Sequence, residues 1–271
     1  MRTVFLKAWA FLKRDFRIES GYQAAFLMGI VESIMLLVIF HFIGDLIAPK
    51  ANASLSRYGS HYFPFVIIGI AFARYFDLVL KMFSESIRLA QVTGCLEAML
   101  SSQTGCITIV LMSSLYGLIS GALQLFLLLL GSVLLFGVDL SGMNVPATLL
   151  VLFVSIAIFV AFGVLSASAI VWLKKGDPIM WVFGGFSSIL GGAYFPIDVM
   201  PHWMQKLSIL IPIRYSLDAL RLTMLKGDSI RSIAGPAATL LVIAVILLPA
   251  SIAIFAGAVQ NGRKEGTLTQ Y

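Results

Sequence analysis

Long runs of apolar residues, separated by short polar stretches, dominate the pattern of this chain. An α-helix needs about 20 residues to cross the hydrocarbon core of a bilayer, and the runs reach or approach this length. We therefore predict an all-α integral membrane protein in which residues 1–271 form a single transmembrane domain. Its six membrane-spanning helices are expected near residues 22–43, 62–82, 107–136, 146–173, 179–195 and 236–259.

Residues 1–20 show a different pattern, with basic side chains between apolar ones. Helical spacing places Phe5, Trp9, Leu12 and Phe16 on one face, which is typical of a helix lying in the membrane interface. A secretory signal is the alternative. Its basic region would be unusually long, however, and no small-x-small cleavage site follows at a fitting distance. We expect an uncleaved interfacial helix.

Composition and charge agree with a membrane domain. Hydrophobic residues make up 59% of the chain, charged residues only 12%, and the mean hydropathy is +0.97. Soluble domains carry about 25% charged residues. The net charge of +6 comes from scattered basic residues that flank the apolar runs. This distribution predicts contact with membrane lipid and no binding of nucleic acid. Basic residues favour the side that carries both termini, which predicts a multi-pass protein of the cell inner (plasma) membrane with cytoplasmic termini.

Apart from Lys81 at the end of the second predicted span, three charged residues fall inside the predicted spans: Glu32, Arg74 and Asp77. A lone charge at the bilayer centre costs at least about 2.5–3.5 kcal/mol on insertion scales, so each should find a partner. Glu32 and Arg74 have similar predicted depths on consecutive antiparallel spans, which favours an interhelical ion pair. Asp77, three residues after Arg74, is the competing partner. If Asp77 pairs with Arg74 instead, Glu32 must face water, substrate or another chain.

The sequence contains none of the common catalytic or cofactor motifs. It lacks the Gly-x-x-x-x-Gly-Lys-Ser/Thr phosphate loop, so we expect no ATP bound to this chain. His41, His61 and His202 fall at predicted outer ends of helices, where interfacial histidines are more common than metal ligands. Cys95 and Cys106 have no metal-binding spacing, and a disulfide is not expected in the cytoplasm. We therefore expect that this chain catalyses no reaction and binds neither a metal nor a cofactor.

Glycines mark two of the predicted spans. Gly117 and Gly121 form a GxxxG pattern, which serves either internal helix packing or dimerisation. The fifth predicted span is rich in glycine and can bend or pack closely at these positions: Gly184, Gly185, Gly191 and Gly192.

The stretch GGAYFPIDVMPHWMQKLSILIPIRYSLDALR, residues 191–221, follows the fifth predicted span. Its prolines preclude one straight helix and leave His202–Ile211 as a short amphipathic helix. The order Gly-Gly-x-x-Phe-Pro, Pro-x-Trp, Leu-x-x-x-x-Pro-x-x-Tyr and a closing Arg resembles the ABC-2 family of exporter permeases. After it, residues 214–231 predict a second amphipathic helix, on which Asp218 is expected to pair with Arg214 and Arg221.

The resemblance implies that this stretch joins the last two spans and forms two short outer helices that cap the translocation path. The residues expected at this outer gate are Phe195, Pro196, Pro201, Trp203, Leu207, Pro212, Tyr215 and Arg221.

A second resemblance lies in the cytoplasmic connection after the second span, at Thr-Gly-Cys-Leu-Glu-Ala-Met-Leu-Ser-Ser. In the ABC-2 pattern, threonine is common at the position of Cys95 and proline at that of Gln103, so the match is imperfect. The family places here a short coupling helix that docks on an ATPase subunit. The corresponding residues are Gly94, Cys95, Leu96, Glu97, Ala98, Met99, Leu100 and Ser101.

Together these resemblances imply the permease subunit of an ABC exporter that moves a hydrophobic or lipid-like substrate outward. The implied partners are two copies of a separate P-loop ATPase, which bind ATP and Mg²⁺, and a second permease chain in a homodimer or heterodimer. An ion-coupled secondary transporter or channel is the alternative, with Glu32, Arg74 and Asp77 on its path. A membrane scaffold that transports nothing is a third possibility.

Overall fold

The computed structural model describes residues 2–19, 21, 23–59, 61–94, 106–173 and 177–264, and its regular elements there are all helical. Two short 3-10 helices are present, η1 (Ser56–Tyr58) and η2 (Ile197–Val199). The α-helices are α1 (Arg2–Glu19), α2 (Gln23–Leu55), α3 (Tyr62–Val92), α4 (Cys106–Ser113), α5 (Leu115–Phe136), α6 (Val145–Leu173), α7 (Pro178–Leu190), α8 (His202–Ser208), α9 (Pro212–Leu225) and α10 (Ala234–Lys264).

Five helical segments of the described ranges are long and apolar enough to cross a membrane. They confirm the predicted class, an all-α integral membrane protein. The five segments are Leu27–Ile47 in α2, Tyr62–Val92, Ile107–Phe136 across α4 and α5, Val145–Leu173 and Ala234–Gly262.

The fifth predicted span, residues 179–195, differs from the structure. Helix α7 has 13 residues and ends at Leu190, so it is about 20 Å long, short of the roughly 30 Å hydrocarbon core. The chain turns at Gly191 and Gly192, and Gly192 has φ +76°, a left-handed conformation that glycine adopts without a steric penalty. The first span differs in the other direction, because α2 continues beyond residue 43 to Leu55.

The predicted N-terminal helix is present as α1, which packs against α4 and α5. Trp9 and Phe16 on its apolar face are 61% and 62% exposed. The protein therefore leaves these two side chains uncovered, as an interfacial helix requires, and the place of α1 in the interface remains a prediction.

Helix α3 is the centre of the bundle and contacts α2, α5, α6, α7 and α9. Its buried side packs aromatic rings against α6, with the centroids of Phe76 and Phe159 4.7 Å apart. Helix α10 also packs along α6. By contrast, α2 and α5 expose many large apolar side chains, a surface suited to lipid rather than water.

The GxxxG pattern on α5 serves packing within this chain. A Cβ on Gly117 would overlap Sδ of Met82, and one on Gly121 would lie 2.9 Å from Cδ2 of Leu78. Both neighbours belong to α3, so the two glycines allow α5 to approach α3 closely.

Candidate functional site

The segment between α7 and α10, which is predicted to lie on the outer side and is called the outer segment below, is built around Pro196, Pro201 and Pro212. Pro201 precedes the seven-residue helix α8, and Pro212 is the first residue of α9, where its missing amide hydrogen costs nothing. Trp203 and Leu207 on α8 are 62% and 44% exposed. Pro196 and Pro212 are buried. Within this segment, α8 is therefore exposed and α9 is largely buried.

Arg221 on α9 is buried and holds three elements together. Its Nε donates to the carbonyl of Phe65 on α3 at 3.1 Å. Its Nη1 and Nη2 donate to the carbonyls of Gly192 and Ala193, in the turn after α7, at 2.9 and 3.0 Å. Its Cζ also lies 3.4 Å from the centroid of the Phe65 ring, a cation–π contact. One side chain thus joins α9, the N-terminal end of α3 and the Gly191–Gly192 turn.

The charge of Arg221 is desolvated yet retained. Burial lowers the pKa of its guanidinium from 12.5 to about 9, while Tyr58, Asp218 and Tyr62 act in the opposite direction. A pKa of about 9 keeps the group protonated at neutral pH. Its N–H groups therefore remain available to the three carbonyls.

Asp218 on α9 pairs differently from the sequence-based expectation. Its Oδ1 accepts from the Tyr58 hydroxyl at 2.6 Å and its Oδ2 from Nη2 of Arg57 at 3.0 Å. Arg214 instead donates to Oγ of Ser208 at 2.7 Å. The expected pairing with Arg214 and Arg221 is therefore wrong, because α9 packs on η1 and η1 supplies closer partners. Burial, and then the Asp218 charge, raise the pKa of Tyr58.

Further side-chain contacts connect the outer segment to the bundle. The Tyr62 hydroxyl donates to the carbonyl of Tyr194 at 3.0 Å, and Oγ of Ser155 on α6 donates to Oγ of Ser216 on α9 at 2.9 Å. These serines, together with Arg57 and Tyr58, were not predicted from the sequence as part of the site. Of these residues, only Arg57 and Tyr58 could have been singled out from the sequence, as polar residues just before the apolar run of the second span. Phe195 and Tyr215 are half-buried.

The predicted intramembrane ion pair is confirmed. Nη2 of Arg74 on α3 lies 2.7 Å from Oε1 of Glu32 on α2. Asp77 does not replace Glu32 as the partner. Its Oδ1 is buried and has no hydrogen-bond partner within the described ranges. It lies 3.7 Å from where a Cβ on Gly184 would stand, next to a kink in α7 at which Gly184 has ψ −106°.

A cavity of about 710 Å³ lies between α2, α3 and α5 at the level of these charges. Glu32, Arg74 and Asp77 are the charged residues among those that line it, and Gln124 adds an amide. Aliphatic side chains form most of its remaining wall. The three intramembrane charges are thus brought to one site.

The proposed coupling helix is described only at its first residue. Gly94 has φ +68°, and its amide donates to the carbonyl of Gln91, which ends α3 with a left-handed glycine. The other predicted coupling residues lie outside the described residues: Cys95, Leu96, Glu97, Ala98, Met99, Leu100 and Ser101. Their role remains a prediction. In the described ranges, no group of three or more His, Cys, Asp or Glu side chains could hold a metal ion.

These features define a multi-pass helical membrane domain in which α9 packs against α3, α6 and α10. The model of the family described as ABC-2 type transporter matches residues 7–225, well over half of the chain. The chain belongs to this family, and it is therefore the membrane permease subunit of an ABC-type transporter, a class that works with an ATP-binding subunit. A search of curated proteins finds no match.

Proposed function

We propose that this permease exports a hydrophobic or lipid-like molecule, driven by ATP hydrolysis on a separate P-loop ATPase. The observation that carries the proposal is the family match over residues 7–225, which includes the coupling stretch 94–101 and the outer segment around Arg221. ATP and Mg²⁺ would be bound by the ATPase. The permease contributes the path and the moving helices.

The connection between the two regions supports this function. Helix α3 is continuous over 31 residues, which is about 46 Å at 1.5 Å per residue. Its last turn directly precedes Gly94, and near its first turn the carbonyl of Phe65 accepts a hydrogen bond from Arg221. A displacement at the ATPase would therefore reach the outer segment through one helix and one buried side chain.

The proposed assembly contains two permease chains and two ATPase subunits in the cell inner membrane. With both termini in the cytoplasm, residues 94–101 face the ATPase and α8 faces outward. The exposed apolar faces of α2 and α5 support contact with lipid or with the second permease chain, since either would cover them.

The test is a comparison of Glu97→Arg with Glu85→Arg. Glu97 lies in the proposed docking stretch, where a carboxylate can pair with a basic groove, whereas Glu85 lies on α3 and contacts Lys81 at 3.7 Å. A tagged wild-type permease should co-purify with a P-loop ATPase and stimulate it. Glu97→Arg should reduce both, and Glu85→Arg should not. Undiminished coupling in a folded, normally expressed Glu97→Arg variant would contradict the docking assignment.

An ion-coupled transporter is the second candidate, and the unpartnered Oδ1 of Asp77 is the observation that favours it. Glu32 and Arg74 pair with one another, which leaves Asp77 as the intramembrane charge without a partner among the described residues. Transport into vesicles that contain the permease and an ATPase unable to hydrolyse ATP separates the two functions. Transport driven by a proton or sodium gradient alone would establish the second.

A further inference from the structure

The cavity between α2, α3 and α5 has the size and the wall of a small-molecule site. Its volume of about 710 Å³ falls within the roughly 300–1,000 Å³ that is usual for drug-sized ligands. Ile30, Ile34, Leu78, Leu125 and Leu128 are part of its apolar wall. The Glu32 side chain at this cavity is 65% exposed, on a helix that is otherwise largely apolar and exposed. A ligand dissolved in the lipid can therefore reach the cavity from the side.

The charges in the cavity do not cancel. Arg74 and Glu32 form a pair at 2.7 Å and neutralise each other. Asp77 is the remaining charged residue of the lining and forms no ion pair with any described residue. Its Oδ1 is buried beside Gly184 of α7 and accepts no hydrogen bond there, so the cavity receives the charge of this carboxylate and not a contact from Oδ1. With all three groups ionised, the lining carries one excess negative charge.

An unpaired carboxylate surrounded by hydrocarbon is unfavourable, and a positive charge placed beside it is correspondingly favoured. An anion would meet the opposite field and would have to displace Glu32 from Arg74. A neutral molecule of the same shape would gain only the apolar contacts.

We propose that this cavity binds a hydrophobic organic cation, with the positive charge next to Asp77 and Glu32 and the apolar body against the aliphatic wall. That the bound cation is also the exported substrate rests on the function proposed above. Binding itself requires no ATPase, so the two can fail separately.

The test uses a pair of ions that differ in charge and hardly in size, tetraphenylphosphonium and tetraphenylborate. Equilibrium binding of radiolabelled tetraphenylphosphonium is measured on the full-length permease in lipid nanodiscs without nucleotide, with empty nanodiscs subtracted. Saturable binding should appear, and tetraphenylborate should compete at least about tenfold more weakly than unlabelled cation, since a unit charge at cavity distances is worth more than 1 kcal/mol. Equal competition by the anion, or no saturable binding, would overturn the proposal.

A charge series then locates the site. Asp77→Asn removes the excess charge and should weaken binding of the cation on the order of tenfold or more. The double change Glu32→Gln with Arg74→Gln leaves the net charge of the lining unchanged and should bind within a few-fold of wild type. Arg74→Gln alone makes the lining more negative and should not weaken binding. If the double change reduces affinity as much as Asp77→Asn, the charge argument is wrong.

Two controls carry equivalent changes outside the cavity. Asp45, on α2 near His41, is changed in Asp45→Asn, and Glu85, on α3 beside Lys81, is changed in Glu85→Gln. Neither should alter binding, and thermal unfolding of every variant should show that it is folded. A second permease chain that filled the cavity would exclude the cation from the dimer, a result that would also refute the site.

Saturable binding with no ATP-driven export of the cation would retain the site and reject it as the transport site. Export of other hydrophobic molecules, with no cation binding, would retain the proposed function and reject this ligand class.

Discussion

The guanidinium of Arg221 occupies the space that a side chain on Gly69 would need. A Cβ on Gly69 would overlap Nη2 of Arg221 and also the carbonyl oxygen of Ala193. Helix α3 can therefore approach the turn after α7 only because residue 69 has no side chain. The two residues form one structural unit, in which the glycine makes room for the arginine and the arginine satisfies three carbonyls.

Gly69→Ala should destabilise the protein by about 1–3 kcal/mol, because the backbone carbonyl of Ala193 cannot move away as a flexible side chain would. The measurement is thermal unfolding of the purified protein, followed by intrinsic tryptophan fluorescence. Gly29→Ala on α2 is the matched control, since a Cβ there meets nothing within 4 Å. The control should be neutral or stabilised by up to about 1 kcal/mol. Equal melting temperatures would contradict the contact.

Arg221→Lys should destabilise the protein even though the charge is kept. An ammonium group is a single centre and cannot serve the carbonyls of Phe65, Gly192 and Ala193 together. Hydrogen bonds from charged donors contribute about 1.5–3 kcal/mol each, so a loss of at least about 2 kcal/mol is expected. Arg57→Lys changes a side chain that is 56% exposed and keeps its charge beside Asp218, so it should cost less than about 1 kcal/mol. A milder effect at position 221 than at position 57 would refute the role of Arg221.

Glu32→Gln and Arg74→Gln combined should lower the free energy of unfolding by less than the sum of the two single changes. The pair lies inside two membrane-spanning helices, where an unpaired charge is costly, so we expect a coupling free energy of about 0.5–3 kcal/mol. A parallel cycle on Lys81 and Glu85, an exposed i,i+4 pair on α3, should give about 0.3–0.5 kcal/mol. Additive losses at Glu32 and Arg74 would show that the pair contributes nothing.

Cysteines introduced on α8 report on its movement. In a background without Cys95 and Cys106, cysteines at positions 203 and 207 should react with a thiol reagent at rates that depend on the nucleotide state of the ATPase complex. Trp203 and Leu207 are exposed, whereas Ser208 on the same helix is fully buried, so a cysteine at 208 should stay nearly unreactive in the nucleotide-free protein. Identical rates with and without ATP at 203 and 207 would indicate a static surface helix.

The sequence alone determined the features that depend on local chemistry. Apolar run length predicts the long helices, since a span must satisfy its own backbone hydrogen bonds in lipid. Proline spacing predicts the interruptions at 201 and 212. The cost of an isolated charge in the bilayer, together with equal depth on adjacent spans, favoured the pair of Glu32 with Arg74 but left Asp77 open as the other partner for Arg74.

The tertiary structure decided which partner each polar group of the outer segment takes. Spacing along α9 indicated that Asp218 would pair with Arg214 and Arg221, because helical neighbours are the partners visible in a sequence. Packing of α9 on η1 and α3 instead offered Asp218 the side chains of Arg57 and Tyr58 and offered Arg221 three carbonyls. The role of Gly69 is visible only in the tertiary structure, because a side chain at this position would clash only with segments that are distant in the sequence. A buried polar group takes the partner that folding brings near it.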